Sequence, residues 1–284
     1  MHQFCMTIAG LGFRLCSDAP VSIGGNVEPF LGGEGKDALL RVRRVLELPE
    51  IPKDAVCTEL AAFSRQGALQ RIFHRAEPGG GPVCVSCLDG AGNADLSYLP
   101  RYGHLVSGTT GVLNRIGLES LLLAHNGLML HAAFVRCGGK GILFAGPSGI
   151  GKSTQAALWQ RCASAQILNG DRAALRCENG IWKAWGLPFA GTSRIFCTDS
   201  APLSALVVLR QAKENRLRLL SAREAFSCVF PELSLQRWDT PSVDKALGLF
   251  LKLSAAVPVY LLECLPEESA VVLLRETLEK EQLL

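Results

Sequence analysis

The chain has 284 residues and 48% hydrophobic side chains, enough for one large or two ordinary domains around a sizeable core. Its formal net charge is +3, from 29 Lys+Arg against 26 Asp+Glu, and no five or six basic residues gather in a run, which argues against nucleic acid as a partner. No apolar run reaches about 18 residues, and the opening "MHQFCMTIAGLGFRLCSD" lacks a basic segment, apolar stretch and cleavage site in sequence, so a cytoplasmic chain with no membrane partner is expected.

Residues 1–110 read as short alternating segments between glycine and proline breaks: "QFCMTIA", "FRLCSD", "AVCTELAAF", "LQRIFHR" and "PVCVSCL". The pattern predicts a mainly β N-terminal domain, and nothing in it announces a chemistry. "ALLRVRRVLEL" fits strand or helix by periodicity. The eleven cysteines are odd in number and scattered, as expected of reduced thiols rather than a disulfide framework. Cys84 and Cys87 have CxxC spacing, but a strand sends residues three apart to opposite faces, which favours core thiols over a zinc or redox pair.

From residue 111 the texture changes, and 111–284 is expected to form a second domain. "VLNRIGLESLLLAHNG" has helical spacing and stops at Asn126-Gly127. "LMLHAAFVRC" reads as a strand, and "GILFAG" as a central strand buried on both faces. Later, "LSALVVLRQAKENRLRLL" reads as two strands joined at "KEN", and Ser221 with Glu224 forms a capping-box pattern opening a helix. "VPVYLLEC" and "PEESAVVLLRETLEKE" end the chain as strand, then helix.

The strongest signal lies between "GILFAG" and the segment after it. Gly146, Pro147, Ser148, Gly149, Ile150, Gly151, Lys152 and Ser153 fit G-x-x-x-x-G-K-[ST], with a second hydroxyl at Thr154. Glycines let backbone N–H groups turn inward around phosphate oxygens, and the helix that follows adds its positive end. Lys152 is placed to neutralise the β- and γ-phosphates of a nucleoside triphosphate, and the Ser153 hydroxyl to ligate Mg²⁺. Two further candidates follow. Asp171 stands at a strand end in "AQILNGDRAAL", as a metal-holding aspartate or general base would, although Asn-Gly-Asp also makes plain turns. His131 lies on the strand before the loop strand, a position where core histidines are common. In "WGLPFAGTSRIF", Gly191, Thr192, Ser193 and Arg194 form either a substrate-holding loop with a bidentate cation or an ordinary connection between strands.

"LHAAFVRCGGKGILFAGPSGIGKST" followed by "LNGDRAAL" resembles the catalytic domain of HPr kinase/phosphorylase, over about residues 128–195. The resemblance is greater to the divergent HPr-kinase-like proteins of bacterial gene clusters, some of which phosphorylate peptide precursors. It implies a P-loop domain similar to the nucleotide-binding domain of PEP carboxykinase, giving an α/β (α+β) chain with a smaller, mainly β N-terminal domain. It also implies γ-phosphoryl transfer from ATP, with Mg²⁺, to a serine hydroxyl. By this match His131 corresponds to the histidine that interacts with the catalytic carboxylate. Asp171 and Arg172 correspond to the end of the family's Asp-Asp-Arg element. Gly170 stands where the family has its first aspartate, so Asp171 must act as base, and hold metal with Ser153, or another group must be recruited. The family's later signature has no counterpart, so neither phosphorylase activity nor a hexamer is expected.

The leading expectation is thus a serine-kinase-like phosphotransferase with a nucleotide and a hydroxyl-bearing peptide, protein or small molecule as partners. The alternative is a nucleotide-binding module that recognises a peptide without turnover. A hydrolytic switch fits less well, because no N-K-x-D guanine-reading element follows the loop. "LMLHAAF" and the C-terminal helix offer faces for a homo-oligomer, and burial in the core explains them equally.

Overall fold

The computed structural model describes residues 1–284 apart from the side chain of Thr192. The described residues form sixteen strands in two sheets, with helices, an α+β fold. The chain divides into two units, one of Met1–His125 with Gln236–Val243 and the other of Asn126–Leu235 with Asp244–Leu284. No helix among the described residues is long and apolar enough to cross a membrane.

In the first unit the strands are β1 (His2–Ile8), β2 (Leu11–Ser17), β3 (Ala38–Arg44), β4 (Val56–Cys57), β5 (Ala61–Gln66), β6 (Leu69–Arg75), β7 (Pro82–Leu88) and β8 (Ala94–Tyr98). They lie in the order β1-β2-β3-β8-β7-β6-β5-β4. "ALLRVRR", ambiguous by pattern, becomes β3 because it buries Ala38, Leu40 and Val42 at a period of two while pairing parallel to both β2 and β8. On β7, Val85 and Cys87 pack with Ala62 and Phe73, whereas Cys84 faces the opposite side, where burial pushes its thiol up to about 12.

The segment expected as a single helix is two, α1 (Thr109–Ile116) and α2 (Leu118–Ala124). Gly117 takes φ 83°, and its N–H donates to Leu113 O, closing α1 in the left-handed conformation glycine permits. Both helices belong to the first unit, which therefore runs past residue 110. The unit also contains a segment from much later in the chain: Trp238 stacks on Phe63 at 5.3 Å, and Arg65 clasps the buried Asp239 through Nε and Nη2. Burial opposes the Asp239 charge, but hydrogen bonds from Arg65 and Ser242 outweigh it and hold the carboxyl below the usual carboxylate range.

The second unit contains β9 (Gly127–Cys137), β10 (Lys140–Ala145), α3 (Lys152–Ala163), β11 (Gln166–Asn169), β12 (Arg172–Glu178), β13 (Ile181–Gly186), β14 (Ser200–Gln211), β15 (Arg216–Leu219), α4 (Ala222–Val229), β16 (Val259–Cys264) and α6 (Glu268–Lys280); α5 (Thr240–Ala256), absent from the sequence reading, runs before β16. Its strand order is β10-β9-β12-β13-β14-β16-β15, with β11 on β9 and β10 also on β14. The long strand β9 changes partner midway: Gly127 to His131 pair with β12, and Ala132 to Cys137 with β10. His131 thus sits at the changeover. β10 lies between β9 and β14, which explains why "GILFA" is buried throughout. Phe144, Trp159, Tyr260 and Leu274 join α3, β10, β16 and α6 in one core cluster that fixes the base of the glycine loop.

Candidate active site

The loop Gly146 to Gly151 leaves the buried end of β10 and enters α3 directly. Gly146, Gly149 and Gly151 take φ of 139°, 79° and 116°, conformations that a side chain would strain. Gly151 occupies the N-cap, and among the described residues α3 has no side-chain cap bond, which leaves backbone N–H groups of its first turn facing the loop. Lys152 folds back over the loop, its Nζ donating to Gly146 O at 2.7 Å and Pro147 O at 3.0 Å. Burial lowers its pKa, while the charges of Glu232 and Asp171 act in the opposite sense. Ser153 and Thr154 are exposed on the same turn.

Asp171 owes its position to a polar residue buried beneath it. Asn169 ends β11, fully buried, and its Nδ2 donates to Leu187 O at 2.9 Å and Phe189 O at 3.1 Å. Its Oδ1 accepts from the N–H groups of Asp171 at 2.9 Å and Arg172 at 3.0 Å. One side chain therefore both caps the Gly170-Asp171 turn and ties down the loop after β13. From β9, the Ala132 N–H donates to Asp171 O at 3.0 Å, and His131 pairs with Arg172. That register brings His131 Nε2 to 3.7 Å from Asp171 Oδ1, while Arg172 Nε lies 3.4 Å from Oδ2 and its guanidinium stands 5.4 Å over the Phe189 ring.

The Gly191–Ser193 turn reaches the same place. A Cβ on Gly191 would meet Cβ and Cγ of Asp171 at 2.8 Å, and one on Gly170 would meet Ser193 Oγ at 2.1 Å. Arg194 is exposed, with no ion pair to the site's carboxylates among the described residues. The Thr192 candidate lies outside the described residues. Two residues with no motif to mark them complete the group, Asn169 and Glu232, the latter with Oε2 3.5 Å from His131 Nδ1 and a side chain 15% exposed. Asn169 had a faint signal as the polar residue starting a turn; Glu232 had none.

Beside the loop, at the C-terminal ends of the parallel strands β10, β14 and β16, a cavity of about 430 Å³ opens, with Ile150, Thr154, Leu209, Ala212, Cys264 and Pro266 among its lining residues. Its volume suits a small organic ligand. Among the described residues no three His, Cys, Asp or Glu side chains form a metal site by themselves. The oxygen donors present, Ser153 and Asp171, suit Mg²⁺, which takes few protein ligands and completes its shell with phosphates and water.

The fold and this site define an α+β chain with a glycine loop of phosphate-binding pattern set close to a histidine and two carboxylates. Over residues 119–267 it matches the family described as SynChlorMet cassette protein ScmC, and the chain belongs to that family. No curated protein matches it. Among solved structures it is similar to the HPr(Ser) kinase/phosphatase from Coxiella burnetii, with 16% identity and a TM-score of 0.32, over 54% of this chain and 94% of that one.

Proposed function

We propose that the chain is an ATP- and Mg²⁺-dependent phosphotransferase of the HPr-kinase-like type, its second unit a PEP carboxykinase-like P-loop domain, acting on a hydroxyl of a peptide, protein or small metabolite. The single observation that carries the reading is the glycine loop between β10 and α3, with Gly146, Gly149 and Gly151 at φ of 139°, 79° and 116° and Lys152 Nζ folded back onto Gly146 O at 2.7 Å and Pro147 O at 3.0 Å. Burial lowers the pKa of the same lysine and the charges of Glu232 and Asp171 act against it, which is in keeping with that reading. A phosphate-binding cation and candidate base that share one electrostatic neighbourhood suit group transfer.

In this reading the loop N–H groups and Lys152 hold the β- and γ-phosphates, Lys152 exchanging its carbonyl partners for phosphate oxygens. The nucleobase enters the apolar cavity beside Ile150 and Leu209. Asp171 accepts the proton of the acceptor hydroxyl, whose oxygen bonds to Pγ as the Pγ–O bond to the β-phosphate breaks, releasing ADP. Ser153 and Asp171 would hold Mg²⁺, which would neutralise phosphate charge during transfer. His131 steadies the Asp171 carboxylate, and the Gly191–Ser193 turn lies where the acceptor approaches. The cytoplasm, with its ATP, is the compartment this reading requires.

Incubation with Mg²⁺ and γ-labelled ATP, with free serine, a serine-containing peptide pool or a metabolite extract added in turn, tests the proposal. Label in an acid-stable monoester is expected. Asp171→Asn should spare ATP binding and cut turnover by about 10²-fold or more, whereas Lys152→Ala should weaken ATP binding by about 10- to 100-fold, the value of a lost charge-assisted contact. Normal turnover by Asp171→Asn would refute the role of base. ATP binding without transfer would favour the binding module, with the carboxylate missing at Gly170 as its reason.

A further inference from the structure

Position 170 has no room for a carboxylate. A Cβ on Gly170 would begin 2.1 Å from Ser193 Oγ and 2.5 Å from Ser193 Cβ, so the turn after β13 fills the space an acidic side chain would need. A second carboxylate nevertheless reaches the cluster from the far side of His131. Glu232 ends the short turn Phe230–Glu232, and its Oε2 lies 3.5 Å from Nδ1 while Asp171 Oδ1 lies 3.7 Å from Nε2. The backbone explains how it arrives there. Directly after Glu232, Leu233 bridges to Leu130 on β9, and the Ser234 N–H donates to Met129 O at 2.8 Å. The strand that carries His131 therefore also carries the turn that presents Glu232, which fixes the register between the two residues. Phe230 anchors the turn from behind, its ring 4.8 Å from Phe226 and 5.9 Å from Phe250.

We propose that Glu232 is the positioning residue of this site, occupying the Nδ1 side of His131 so that Nε2 stays aimed at Asp171. An imidazole turns about its Cβ–Cγ bond between two broad orientations, and a partner on one nitrogen selects one of them. With its side chain 15% exposed, Glu232 keeps Oε2 3.5 Å from Nδ1, on the side of the ring opposite Asp171. The group recruited here stands behind the histidine instead of beside Asp171, because Ser193 bars the direct place. The catalytic consequence rests on the phosphotransferase reading; the orientation of the ring does not.

Crystal structures of Glu232→Ala and Glu232→Gln read the ring directly. In Glu232→Ala the His131 ring should leave Asp171 or become disordered, and in Glu232→Gln, which keeps an acceptor, it should stay. With γ-labelled ATP and the serine-containing peptide pool, Glu232→Ala should lower kcat by roughly 10- to 100-fold, the scale of a misplaced catalytic group, with KM for ATP unchanged, and Glu232→Gln should recover most of that loss. His131→Ala and the double variant His131→Ala/Glu232→Ala should be equally slow, because Glu232 acts only through the ring. An unmoved ring in Glu232→Ala overturns the proposal, as does a double variant slower than His131→Ala by the full Glu232→Ala factor. If the wild-type chain itself transfers no label, the phosphotransferase reading fails, and the two structures alone decide the role of Glu232.

Discussion

Replacing Gly170 by alanine adds one methyl group at the most crowded point of the site. The new Cβ would meet Ser193 Oγ at 2.1 Å and Ser193 Cβ at 2.5 Å. Rotation about χ1 moves the hydroxyl aside but leaves Cβ in place, so the Gly191–Ser193 backbone has to shift. Overpacking of this kind costs about 1–3 kcal/mol, and for a unit of this size about 2–4 °C of Tm accompany each kcal/mol. Gly170→Ala should therefore lower the melting temperature of the second unit by about 2–12 °C, read by circular dichroism and checked by urea unfolding. Ser193→Gly alone loses the hydroxyl's bonds to Ala190 O at 2.8 Å and from Ile195 N–H at 3.2 Å. Each of these is worth about 1 kcal/mol. In that background, however, the alanine has room, and the double variant should match Ser193→Gly or exceed it by about 0.4–1 kcal/mol through a stiffer unfolded chain. The same penalty for Gly170→Ala in both backgrounds would refute the argument that Ser193 excludes a side chain at 170.

Three further outcomes are expected. Ala212→Trp fills the cavity beside the loop, so it should weaken ATP binding in calorimetry and leave inorganic triphosphate binding intact; equal losses for both would remove the nucleobase from that cavity. Burial lowers the pKa of His74 from 6.5 to about 4, against the opposing contact with Arg115 O at 3.0 Å. Because the unfolded chain then takes up the proton first, the His74 contribution is complete above about pH 6.5 and is lost as the pH falls toward 4, on the order of 3 kcal/mol. Urea unfolding at pH 7 and pH 4.5 should show that slope in the wild type and a flatter one in His74→Gln, and identical slopes would contradict it. Ser221 accepts from the Glu224 N–H at 3.4 Å while Glu224 accepts from the Ser221 N–H at 3.0 Å, so Ser221→Ala should cost about 1 kcal/mol in thermal unfolding; no change would show that water replaces the cap.

What the sequence alone determined is local. "GILFAG" is apolar because β10 lies between two strands, the glycines of the loop take φ values that other residues avoid, and the Ser221–Glu224 box opens α4 as its spacing requires. Each of these depends on residues within a few positions of one another, where side-chain type and backbone preference speak directly. The choice of strand for "ALLRVRR" came from its neighbours β2 and β8, which periodicity does not contain, whereas the break at Gly117 is local, a glycine in the left-handed conformation whose N–H closes α1 on Leu113 O. The site divides in the same way. Lys152 and Ser153 stood out as candidates because the G-x-x-x-x-G-K-[ST] pattern is local, and Asp171 because it stands at a strand end beside a turn. Glu232 was not, since its place beside His131 depends on Leu233 and Ser234 joining β9 a hundred residues earlier in the chain. Ser193 meets Gly170 for a similar reason: the buried Asn169 ties down the turn after β13. Contacts of that kind are made by the whole fold, and no short stretch of sequence carries their signal.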